Sequence, residues 1–220
     1  AFLRPALERK NLEVRTNAHV RRLIISEGRV TGVEYERDGK IETVYANRET
    51  VLSAGAVGSP QILELSGIGR GDILQQYGIT QTLDSPQVGE NLQDHLQLRC
   101  AFKVSGIKTL NEKASSLIGK ASIALEYLFN QSGPMSMAPS QLGIFTRSDE
   151  SYETPNLQYH VQPLSLEKFG DPVHPFPAFT ASVCNLRPQS RGSIHITSPN
   201  HTTQPAIAPN YLSADADKKV

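Results

Sequence analysis

The sequence predicts a chain of class α/β plus α+β, in which part of an α/β domain carrying an antiparallel meander is joined to a region built on an antiparallel sheet with helices. Three observations carry this reading. Strand-like alternation runs through residues 20–46 and is broken at Asp38-Gly39, a dipeptide favoured where both central residues of a type I′ turn need positive φ. Thr50-Val51-Leu52-Ser53-Ala54-Gly55 is a short apolar run ending in small residues, as expected of a buried strand that enters a tight turn. Beyond residue 84 the texture changes to separate strand-like runs joined by Pro-rich loops around one amphipathic helix, which is an α+β pattern.

In chain order, Phe2, Leu3, Ala6 and Leu7 have the spacing of a short helix that stops near Asn11, with a strand between it and residue 19. Strands over 19–26, 30–37 and 40–46 form the meander, the first turn falling at Glu27-Gly28-Arg29. Ser59-Pro60 suits an N-cap followed by Pro at N1, giving a helix over 61–66 with Gly67 as its C′ residue. A second helix covers 72–77 and closes at Gly78. Ser85-Pro86 and Gly89 mark a loop, so the chain divides into domains 1–90 and 91–220. A strand over 96–104 follows. The best amphipathic helix spans 116–129, with Leu117, Ala121, Ala124, Leu125 and Leu128 on one face, and Gly133-Pro134 stops it. Strands over 142–147, 157–162, 179–186 and 193–197 complete the reading.

Composition excludes several classes. The 220 residues suit one large domain or two small ones. With 38% hydrophobic and 20% charged residues, the chain is neither a disordered polyampholyte nor a membrane protein. Lys+Arg and Asp+Glu both number 22, so nothing marks it for nucleic acid or an anionic membrane surface. It has no apolar run long enough to span a bilayer, and no signal or transit peptide. Ala1 stands where Met would open a reading frame, and Met135 and Met137 are the only methionines, so the start reads as internal to a longer protein. Cys100 and Cys184 form neither a disulfide framework nor a zinc pattern and read as buried free thiols.

Generic catalytic motifs are missing. The sequence has no P-loop, and Gly67-Ile68-Gly69-Arg70-Gly71 follows a helix rather than a strand, so it is a helix stop and not a dinucleotide fingerprint. Val51 occupies the first glycine position of a nucleophile elbow around Ser53. Asp94-His95 could be a triad fragment, but no activated Ser or Cys accompanies it. The six histidines lack the i, i+4 spacing of a helical metal site and read as ordinary surface or core residues. The segment with physical specificity is 50–67. Small residues at Ala54-Gly55-Ala56 would let a planar ring or a ribose approach the backbone, though a ligand-free packing corner needs small residues too.

Residues 55–69, Gly55-Ala56-Val57-Gly58-Ser59-Pro60-Gln61-Ile62-Leu63-Glu64-Leu65-Ser66-Gly67-Ile68-Gly69, resemble the second signature of the glucose–methanol–choline (GMC) family of flavoprotein oxidoreductases. Further segments agree in order. Ala1-Phe2-Leu3-Arg4-Pro5 with Asn11-Leu12 resembles the approach to that signature, and 88–95 resembles the family's VGxNLQDH segment. Leu186-Arg187-Pro188, Ser190-Arg191-Gly192-Ser193-Ile194 and Pro209-Asn210-Tyr211-Leu212 resemble the opening of its C-terminal region, beginning near 187; Ala208 stands where many relatives have Asp. The likeness is to choline-dehydrogenase-like members. It implies a Rossmann-like FAD-binding domain joined to a substrate domain, and FAD as cofactor. It also implies a small-molecule alcohol as substrate, its hydride passing to flavin N5. Val20 is placed against the adenine, and Ala54 and Gly55 along the adenine and ribose. Asp94 and His95 read as structural hydrogen-bonding residues, and the loop 133–140 resembles a border of the substrate cavity, the alternative being that Met135 or Met137 simply fills an apolar gap. The pyrophosphate-binding GxGxxG unit is expected before Ala1 and the catalytic histidine after Val220, so no residue here is read as catalytic, and these residues alone are expected to bind FAD poorly. A cytoplasmic location accompanies the reading. The competing readings are a non-redox family member, such as a hydroxynitrile lyase or a photodecarboxylase, and a non-enzymatic β-rich binding module.

Overall fold

The computed structural model describes residues 2–138, 140–168 and 170–220; Ala1, and Pro139 within the loop 133–140, lie outside them. The chain divides into two compact units, one formed by Ala1–Leu92 with Arg191–Asn210, the other by Gln93–Ser190 with Tyr211–Val220. A single cut near residue 90 does not capture this division. The backbone of 191–210 bonds back to the first unit, through reciprocal N–H···O bonds between Leu92 and Gly192 and one from Ile194 N–H to the Gly89 carbonyl at 2.7 Å.

The first unit opens with helix α1 (Leu3–Ala6). The strand expected between it and residue 19 does not form; the backbone is irregular there. Strands β1 (His19–Ser26), β2 (Arg29–Arg37) and β3 (Lys40–Tyr45) make the antiparallel meander in the order β1-β2-β3. Asp38 and Gly39 both have positive φ, as the turn requires. A bulge lies between Val20 and Arg22. Neighbouring strand residues normally face opposite sides, but the extra residue in a bulge re-aims one of them. Arg21 and Arg22 thus both reach Glu34, at 2.9 and 3.2 Å.

Residues 50–54, expected to be a buried strand, are irregular, and Val51 is 78% exposed. A strand exists only through a ladder partner, and no strand pairs with this run among the described residues. Helix α2 runs Gly55–Leu65 and starts before the expected cap at Ser59. Pro60 therefore sits inside the helix, where it removes one i→i−4 bond near the start without ending it. Gly67 closes α2 at φ +80°, and a Cβ there would lie 2.7 Å from Thr82 Oγ1, so both conformation and space demand glycine. Strand β4 (Ile68–Gly69) pairs in parallel with β5 (Leu83–Asp84) around helix α3 (Gly71–Gln76).

In the second unit, β6 (Gln97–Lys103) is followed by helices α4 (Leu110–Ser115) and α5 (Leu117–Asn130). Helix α4 was not expected; Thr109 and Glu112 form a capping box at its start. Ser116 caps α5 by accepting from Gly119 N–H at 2.9 Å. The apolar face expected to bury α5 does not do so: Ile123 is its buried residue, while Leu117, Leu125 and Leu128 are exposed. Strands β7 (Leu142–Thr146), β8 (Leu157–Gln162) and β9 (Ala178–Asn185) complete an antiparallel sheet in the order β6-β9-β8-β7. Burial alternates strictly along β9, whereas every residue of edge strand β7 is exposed. Cys184 is buried on β9, which pushes its thiol pKa up, and Cys100 is half-buried. The short ladder β10 (Ser193–His195) with β11 (Ala206–Ala208) belongs to the first unit, and α6 (Asp215–Lys219) to the second.

Candidate functional site

The residues read as cofactor-binding, Val20, Ala54 and Gly55, all lie in the first unit. Val20 is half-buried near the start of β1, opposite Tyr35 and just before the bulge. Ala54 and Gly55 are exposed where the chain enters α2, and Gly55 has φ +79°. A Cβ at Gly55 would meet nothing within 4 Å. This glycine therefore answers a backbone conformation and an open surface, whereas Gly67 answers crowding as well.

Two sets of contacts tie α2 to the rest of the unit. Ser66, just past the end of α2, accepts from Leu23 N–H at 2.8 Å. Gln61, in the middle of α2, donates to Thr203 O at 2.9 Å and to His201 O at 3.4 Å. The His201 ring in turn packs on His19 at 4.7 Å between centroids.

A pocket of about 700 Å³ opens elsewhere in the unit, lined by Arg21, Arg22, Ser66, Thr80, Thr82 and His201 among others. None of the three predicted residues lines it. Both arginines are engaged by Glu34. His201 is buried, and burial together with repulsion from His19 and Arg21 lowers its pKa, favouring the neutral ring.

Residues that were not read as site residues form a largely buried polar cluster. Glu64 is fully buried on α2 and accepts from Ile196 N–H at 2.8 Å. Its other oxygen lies 2.7 Å from His195 Nδ1, and Glu90 lies 3.0 Å from His195 Nε2. The available signal was a carboxylate among Ile62, Leu63 and Leu65, on a helix whose neighbours are apolar.

Asp94 and His95 each make a hydrogen-bond contact within the second unit. The Tyr211 hydroxyl donates to Asp94, and His95 Nε2 lies 3.1 Å from Leu186 O. The hydrogen bond to Asp94 raises the Tyr211 pKa. In the second unit, Ser165 Oγ, His174 and Glu167 line up like a hydrolytic triad, at 2.9 and 3.7 Å. Ser165 is fully buried and bonded to Asn111, so its hydroxyl cannot meet a substrate. Among the described residues no helix is long and apolar enough to cross a membrane.

Comparisons with known proteins agree with the sequence resemblance. Residues 1–97 match the GMC oxidoreductase family model. The whole chain is 41% identical over 219 residues to an oxygen-dependent choline dehydrogenase of Photobacterium profundum, of which it covers 38%. It is 37% identical over 226 residues to an oxygen-dependent choline dehydrogenase of Staphylococcus epidermidis, again covering 38%. The chain thus spans well under half the length of these relatives. Among solved structures, a formate oxidase superposes with TM-score 0.81 at 24% identity, over 92% of this chain and 40% of that one. A pyridoxine 4-oxidase from Mesorbium loti superposes with TM-score 0.77 at 26% identity, over 98% of this chain and 38% of that one.

Proposed function

We propose, from the premise that this chain belongs to the GMC oxidoreductase family, that it is a segment of an FAD-dependent oxidoreductase acting on an alcohol. The observation that carries the proposal is the identity along its entire length to oxygen-dependent choline dehydrogenases.

The residues present fit a role at the cofactor's adenine end. Gly55 leaves open space where a side chain would stand, Ala54 beside it is exposed, and Val20 is half-buried. Val20 would offer an apolar edge to the adenine, and Ala54 and Gly55 would let the adenine and ribose approach the backbone closely. Bound FAD would supply the redox chemistry, accepting at flavin N5 the hydride from the alcohol carbon. The meander and α2 hold that wall in place. No residue of the chain is assigned a proton-transfer role.

The test is anaerobic reduction of the flavin in the full-length protein, with choline as the first alcohol and other primary alcohols after it. Loss of oxidised-flavin absorbance on mixing supports the proposal. A protein that binds FAD but is reduced by no alcohol overturns it. A Gly55→Val variant should purify with markedly less flavin, because its side chain fills the open surface and strains a left-handed position; full flavin occupancy would remove Gly55 from the cofactor wall.

A further inference from the structure

We propose that the pocket beside the β1 bulge binds a small organic anion, held through a carboxylate or phosphate group by the unpaired edge of Arg21. The inference is independent of the proposed redox activity. The pocket, of about 700 Å³, is lined by the first unit alone: by β1 and β2, the end of α2, the loop after α3, and Pro199 and His201. That volume suits a small molecule rather than a bare ion.

Charge and geometry point to an anion. Arg21 and Arg22 are the cations among the described lining residues and Glu34 is the one carboxylate, so one positive charge is left over. In a regular strand, consecutive side chains face opposite sides; the bulge after Val20 brings both guanidinium groups to the same carboxylate. They do not use it equally. Arg22 grips Glu34 with Nε and Nη2, at 3.2 and 3.3 Å. Arg21 donates from Nη1, at 2.9 Å, and its Nε is shielded from solvent with no hydrogen-bond partner among the described residues. The Nε and Nη2 N–H groups of an arginine form a fork that matches two oxygens of a carboxylate or phosphate. The fork of Arg22 is closed on Glu34, and that of Arg21 is open. A buried donor left unpaired is destabilising; an oxyanion seated on Arg21 would offset that and balance the surplus charge.

The rest of the wall suits an anion with a body. Thr80 and Thr82 are exposed and offer hydroxyl groups, while Ile25, Leu65 and Ile79 offer apolar contact. Thr82 Oγ1 reaches Ser66 O only at 3.4 Å, a long contact that a ligand oxygen could replace. Glu36 lies 3.3 Å from His201 Nε2 but is not a lining residue, so Glu34 remains the only acidic side chain of the described wall.

The test is isothermal titration calorimetry of the full-length, flavin-loaded protein in low-salt buffer, where surface charges are least screened. The probes are phenyl phosphate, benzoate, inorganic phosphate and uncharged benzamide. Phenyl phosphate or benzoate should bind about tenfold more tightly than benzamide, the scale of a charge-assisted hydrogen bond, and the tighter of the two identifies the oxyanion. Arg21→Lys keeps the charge but lacks the fork, and should weaken binding by about tenfold or more. Thr80→Trp should fill the pocket and weaken binding at least as much; Thr80 is exposed, so this variant tests the site even where Arg21→Lys does not fold. Flavin content and thermal unfolding check that each variant is native. Four results would overturn the proposal: no binding of either aromatic anion, equal binding of benzamide, inorganic phosphate bound as tightly as phenyl phosphate, or wild-type affinity in either folded variant.

Discussion

Each unit of the chain buries a carboxylate that ties together distant segments, but the two use different donors. Glu64, in the first unit, is bonded to the His195 ring and to one backbone N–H. Asp217, in the second, accepts from Gln189 N–H at 2.7 Å and from Ser190 N–H and hydroxyl at 2.8 and 2.5 Å. The first draws on a side chain 131 residues away, the second on backbone groups 27 and 28 residues away. The same structural device thus closes a long stretch of chain in one unit and a short one in the other.

The largest effect that would sharpen this contrast is expected from Glu64→Ala. It removes the buried acceptor of Ile196 N–H and the partner of the His195 ring and should destabilise the first unit by about 3–4 kcal/mol, through the orphaned polar groups and the space left behind. Urea unfolding followed by hydrogen exchange would locate the loss, and a greater loss in the second unit would break the comparison. Asp217→Ala should cost the second unit about 2–3 kcal/mol through the orphaned donors at 189 and 190, read in the same assay. Gly89→Ala should cost the first unit about 1–3 kcal/mol, because φ is +80° and the added methyl meets the Ile194 carbonyl and the His195 ring; thermal unfolding would measure it. The smallest effect is local. Tyr211 should ionise above the ordinary tyrosine range, near 10, and Asp94→Asn should bring it back down. That hydrogen bond contributes while the phenol is protonated and is lost as pH rises through the raised pKa; an ultraviolet titration of the phenolate would follow it.

What could be read from the sequence follows from where the determining forces act. The meander was legible because a period of two and an Asp-Gly turn are both local. So were Ser116 at the start of α5 and the glycines that end α2 and α3. The antiparallel sheet of the second unit was legible as separate strands, although its order was not. The run 50–54 reads as a strand by composition, yet strand structure needs a ladder, which composition does not reveal. The start of α2 was misplaced because Ser-Pro imitates a helix cap. The return of 191–210 to the first unit was hidden because it rests on bonds such as Gly89–Ile194 and Glu64–His195, each joining residues more than a hundred positions apart. Within the candidate site, Val20, Ala54 and Gly55 came from the family pattern. Glu64 lies inside that pattern too, and what distinguishes it is a partner that the pattern does not contain.

The reach of the Glu64–His195 contact also sets a timetable for folding. Glu64 waits for a partner 131 residues downstream, which at ribosomal speeds of about 5–20 residues per second is an interval of roughly 7–26 s. During that time the helix bearing Glu64 can form and the meander can pair, but a bare carboxylate stands where the finished unit has an imidazole. Nearly all of the second unit's chain, residues 93–190, is synthesised in the meantime. The unit that begins first is therefore the one that must be completed late, and a nascent chain cut short before residue 191 would leave it open.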